Sequence, residues 1–186
     1  KLLEAWKEIP KHTNNSINGE TIDNITNLIS KAKRPIFLAG HGIRLSGSEK
    51  IFRSAIDKFG IPTVMTWNAM DLLPYDHCLN IGRPGVVALR APNFAVQNSD
   101  LLISIGCRLD NVITAFNPQR FAHCAKKIIV DIDQNEIDKL EMEIALPINC
   151  DAKSFLEVLM NDIHLENNDL INWQKKCQTW KRQYVI

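Results

Sequence analysis

Apolar residues along the chain follow two rhythms. Short runs that are almost unbroken (Pro35 to Ala39, Ile61 to Trp67, Leu101 to Ile105, Lys127 to Asp133 and Leu146 to Cys150) alternate with stretches in which apolar positions recur every three or four residues. The first rhythm predicts strands and the second predicts helices with one buried face. Strands that are apolar throughout are buried on both sides, which is how a parallel sheet lies between two helical layers. The predicted fold class is therefore α/β: a three-layer sandwich around a mostly parallel six-stranded sheet, Rossmann-like in its alternation.

The helical stretches carry their own punctuation. Ile22, Ile25, Leu28 and Ile29 make one stripe that leads into the first strand. Ser46 and Glu49 have capping-box spacing, and Ile51, Phe52, Ala55, Ile56 and Phe59 form a face that ends before Gly60. Further helices are expected over Asn93 to Gln97 and around Arg120 to Ala125, with a turn over Ile81 to Gly85. Near the end, Trp173, Cys177, Trp180 and Tyr184 share one helical face among Lys175, Lys176, Lys181 and Arg182. Such a face needs a partner, either this domain itself or a neighbouring one.

Residues 10 to 19 are polar and rich in turn formers, so they separate the short Leu2 to Ile9 segment from the rest of the chain. The expected organisation is a linker over 1–19 from a preceding domain, a central α/β domain over 20–165, and a helical connection over 166–186 to a following domain. The start, Lys1-Leu-Leu-Glu-Ala-Trp-Lys7, has neither an initiator Met nor the layout of a signal peptide and reads as cut from something longer.

Composition narrows the function classes. The chain has 186 residues, 45% of them hydrophobic, enough for one good core. A net charge of +1 without long blocks of either sign gives no footprint for nucleic acid, and no apolar stretch approaches the ~20 residues of a membrane span. Five cysteines (78, 107, 124, 150 and 177) without Cys-x-x-Cys spacing fit reduced thiols and a cytoplasmic setting. The histidines (12, 41, 77, 123 and 164) share no metal-like spacing, so no metal site is expected within the chain.

The candidate chemistry lies where strands end. Arg34-Pro-Ile-Phe-Leu-Ala-Gly-His-Gly42 is an apolar run closing in paired glycines, the form of a strand, a tight turn and a helix start aimed at a phosphate. The third glycine of a dinucleotide fingerprint would fall at Leu45, and the second strand ends Thr66-Trp67-Asn68 rather than in an acidic residue, so an NAD dehydrogenase is disfavoured. His41 reads as a turn histidine, and Asp71 and Asp76 as turn residues. Asp131 and Asp133 leave the end of a buried strand, the edge at which open α/β sheets place ligands.

Four collinear segments then carry a resemblance. Ala32-Lys-Arg-Pro-Ile-Phe-Leu-Ala-Gly-His-Gly42, Gly60-Ile-Pro-Thr-Val64, Asn98-Ser-Asp-Leu-Leu-Ile-Ser-Ile-Gly-Cys-Arg-Leu-Asp110 and Val130-Asp-Ile-Asp-Gln-Asn-Glu-Ile137 together resemble the central domain of thiamine-diphosphate-dependent enzymes of the acetolactate synthase type. Within that resemblance the fold is of the DHS-like nucleotide-binding type. It implies a parent enzyme, a 2-keto-acid decarboxylase or carboligase, whose first domain supplies a catalytic Glu and whose third holds thiamine diphosphate and Mg2+. Asn14-Asn15 and Asn167-Asn168 are not preceded by the Gly-Asp-Gly of that third domain. The resemblance further implies a homo-oligomer, a small 2-keto acid as substrate, and a central domain that is not catalytic alone and holds FAD, ADP or nothing.

By motif position, the resemblance places Gly40 and Gly42 against a ligand phosphate. Thr66, Trp67 and Asn68 would lie beside a flavin or ribityl chain, and Gly82 and Gly85 would also bind the cofactor. Gly106 and Arg108 would face the phosphates, Asp131 and Ile132 the adenosine half, and Asp151 the adenine. The chain departs from acetolactate synthases with Gly82-Arg-Pro-Gly85 in place of Gly-Met-His-Gly and Arg108-Leu-Asp-Asn-Val112 in place of Arg-Phe-Asp-Asp-Arg. The second change removes one basic residue, which Arg83 partly replaces. Two alternatives stay open at this point: a purely structural or oligomerisation domain with a vestigial crevice, and a free-standing nucleotide-binding oxidoreductase.

Overall fold

In the computed structural model, which describes residues 16–164 and 170–184, the elements follow in the order α1 (Gly19–Lys31), β1 (Pro35–Ala39), α2 (Gly42–Leu45), α3 (Glu49–Phe59), β2 (Thr63–Met65), β3 (Asn80–Gly82), α4 (Arg90–Asn98), β4 (Leu101–Ile105), α5 (Asn111–Thr114), β5 (Lys126–Asp131), α6 (Gln134–Asp138), β6 (Leu146–Asn149), α7 (Ala152–Asn161) and α8 (Ile171–Gln183). The strands form one sheet in the order β3-β2-β1-β4-β5-β6, and every pair in it is parallel. The expected α/β sandwich is what the chain builds. Most of the expected linker (1–15), with the Leu2 to Ile9 segment in it, and both Asn-Asn pairs lie outside the described residues.

Period-two geometry sorts the strand side chains between two cores. Phe37, Ala39, Leu101, Ile103, Ile105, Ile128 and Val130 join α1, α3 and α7 on one face. Ile36, Leu38, Val64, Leu102 and Ile129 join α4, α5, α6 and α8 on the other. Because both faces are covered, the strands have no polar side to show, which is why they read as continuous apolar runs. Lys58 adds a polar tie on the first face: its Nζ donates to the carbonyls of Met160 (2.7 Å) and Ile163 (3.0 Å), supplying a cation to the open C-terminal end of α7.

Local chemistry displaced several expected boundaries. α3 starts at Glu49 with Ser48 at its cap, because the short α2 intervenes and ends at Ser46; the Ser46 hydroxyl instead reaches the Ile43 carbonyl at 2.9 Å. The helix expected around Arg120 to Ala125 is a single 3-10 turn over Pro118–Arg120, and Ala122 at φ 45° breaks any continuation. Part of the expected Ile81 to Gly85 turn is the edge strand β3. β5 stops at Asp131 since Asp133 is already the cap of α6.

The aromatic face near the end finds its partner within the domain. Trp173 and Cys177 of α8 are buried in the second core. Trp180 sits between Phe94 and Trp173, with ring centroids 5.9 Å away in each case. Gln174 donates to the Gly60 carbonyl at 2.7 Å, so α8 also touches the loop after α3.

Candidate functional site

Strand order 3-2-1-4-5-6 reverses between β1 and β4, and chains leaving the carboxyl ends of those two strands must turn away from each other there. The result is a cavity of about 1030 Å³ along that edge. Its floor is the segment after β1 (His41, Gly42) against the segment after β4 (Gly106 to Arg108), with Thr66 to Asn68 on one side and Asp131 to Asp133 on the other. A cavity at a topological switch point is where this class of fold holds ligands.

Gly42, Thr66, Trp67, Asn68, Gly106, Arg108, Asp131, Ile132 and Asp151 all lie on the lining. Gly40, Gly82 and Gly85 do not. Gly40 lies beneath the floor, where its N–H donates to the Ile105 carbonyl at 2.9 Å and a Cβ would stand 2.0 Å from the Gly106 oxygen. The glycines after β1 and β4 thus let two backbones touch each other. Gly106 takes φ 56° and sits with its Cα against Gly42, so side chains are excluded on both sides of the contact. Gly82 ends β3, while Gly85 is clamped by Asn93, which bonds both its N–H (2.8 Å) and its carbonyl (2.9 Å).

Many N–H groups at this edge are already bound. Those of Gly42, Ile43 and Arg44 go to the carbonyls of Gly106, Gly40 and His41. The Asp110 carboxylate takes Val112 and Ile113, Asp133 takes Asn135, and Asp151 takes Lys153, all between 2.8 and 3.0 Å. Three aspartates therefore cap the helices that begin here. Asp131, buried at the end of β5, accepts from the Asp133 N–H at 3.0 Å, and burial pushes its carboxyl above the ordinary value despite that bond and the Arg108 charge.

Arg108 is the cation of the lining, and its Nε stands 3.7 Å from Glu136. Sequence reasoning had missed Asp110 and Glu136. Asp110 was visible as a helix cap, since Asp-Asn before an apolar run is a start signal; Glu136 becomes part of the site only because α6 turns back over β5. His41 also lies on the lining, its Nδ1 3.0 Å from the Asn68 carbonyl. Arg83 lies over the Trp67 ring at 5.5 Å and outside the lining. Leu45, Val87, Val112 and Ile132 form an apolar rim around the mouth, each well exposed to solvent. Among the described residues no group of His, Cys, Asp or Glu has the arrangement of a metal site, and no helix is long and apolar enough to cross a membrane.

Comparison with known proteins adds the lineage. Residues 22–159 match the family described as thiamine pyrophosphate enzyme, central domain. The acetolactate synthase large subunit of Lactococcus lactis is 33% identical over 162 residues, 86% of this chain and 28% of that protein. The probable acetolactate synthase large subunit of Methanocaldococcus jannaschii is 38% identical over 157 residues, covering 83% of this chain and 26% of that protein. The large subunit of acetolactate synthase isozyme 1 from Escherichia coli is 34% identical over 122 residues, 66% of this chain and 21% of its own length. The chain thus spans between about a fifth and little more than a quarter of the curated relatives it matches.

Proposed function

The chain belongs to the thiamine pyrophosphate enzyme family as a central domain, and from that premise we propose that it is the middle domain of an acetolactate-synthase-like 2-keto-acid decarboxylase or carboligase. The observation that carries this reading is the agreement of the matched span with the folded unit: residues 22–159 take in all six strands and the cavity at the switch point. When bound, thiamine diphosphate with Mg2+ supplies a nucleophilic ylid that attacks a keto acid and releases CO2. The residues that hold it lie in flanking domains of the same polypeptide. The central domain forms a rigid support and a cavity of the kind that takes an adenine nucleotide, FAD or ADP. The apolar rim of Leu45, Val87, Val112 and Ile132 is the surface a flanking domain covers, and the assembled enzyme is a cytoplasmic homo-oligomer acting on a small 2-keto acid.

The test is a paired assay of CO2 release from pyruvate with thiamine diphosphate and Mg2+. The polypeptide carrying the flanking domains should be active and the 186-residue chain alone inactive. Release by the isolated chain would overturn the assignment, as would a full polypeptide that neither requires thiamine diphosphate nor binds it.

A further inference from the structure

We draw no further inference here: the strongest candidate, the exposed apolar patch on the turn after α5, where Ala115 and Phe116 both take φ 56° and the Phe116 ring stands open to solvent, carries none, because nothing in the structure shows what covers it.

Discussion

The indole Nε1–H of Trp173 donates to the carbonyl of Pro35 across 2.8 Å, tying α8 to the first residue of β1. A bond between residues so far apart in the chain makes the last described helix part of the central core. Replacing Trp173 by Phe keeps much of the packing and loses this bond, at a cost of ~1 kcal/mol. Replacement by Ala adds a cavity and should cost ~3–5 kcal/mol. Urea unfolding followed by circular dichroism measures both, and a Trp173→Ala variant as stable as the parent would show that α8 does not contribute to the fold.

Gly40→Ala should be among the most damaging single-methyl changes in the chain. The new Cβ would fall 2.0 Å from the Gly106 oxygen and 2.4 Å from the Cys107 Cα, and backbone cannot step aside as a flexible side chain does. Overpacking of this kind costs ~3 kcal/mol or more. Gly19→Ala is the matched control: it begins α1 with nothing within 4 Å of the added carbon, so a gain of a few tenths to ~1 kcal/mol is expected. Thermal melts of the two variants should move in opposite directions.

Asp131 gives a pH signature with a defined sign. Burial raises its folded-state pKa above 3.8, so the folded chain holds this proton more tightly than the unfolded one. The group therefore favours folding at low pH, and that contribution declines as pH rises through the window above 3.8. Asp131→Asn, which retains an oxygen for the Asp133 N–H, should be more stable than the parent at pH 7, with the difference gone near pH 3. A variant less stable at pH 7 would mean that the charged bond outweighs the desolvation.

Thiol labelling should divide the cysteines. Cys78 and Cys124 are exposed, whereas Cys107, Cys150 and Cys177 are buried. Burial pushes the Cys150 and Cys177 thiols up to about 12, and Cys107 is raised as well. Mass spectrometry after alkylation at pH 8 should find only the first two modified until the chain is unfolded. Labelling of Cys177 at the pace of Cys78 would show that α8 detaches in solution.

The elements most legible in the sequence were those whose signal is burial itself. β1 and β4 are apolar at almost every position, and β5 through its middle from Ile128 to Val130, because both of their faces are covered, and the α3 stripe ends at Gly60, which takes φ 63° as a helix terminator should. What was hidden depended on competition between neighbours. Ser46 has the spacing of a cap, yet α2 claims it first, and Pro84 and Gly85 make the Asn80–Gly82 strand look like a turn. At the site, the residues at strand ends could be placed from topology. The role of Gly40 and Gly42 could not, because a glycine that admits a ligand and a glycine that admits another backbone read alike. Only the Gly106 segment, more than sixty residues away in the chain, distinguishes them.

α8 has a further consequence at the open border of the sheet. β3 is an edge strand, and backbone acceptors along such a border are a template on which another chain could add. Lys181 donates to the Asn80 carbonyl at 2.6 Å and to that of Tyr75, while Gln178 takes the Cys78 carbonyl. A cationic side chain thus occupies the carbonyl of Asn80, the first residue of that edge strand. The helix that closes the core also guards the β3 border of the sheet, so loss of Lys181 would be felt as aggregation before it was felt as unfolding.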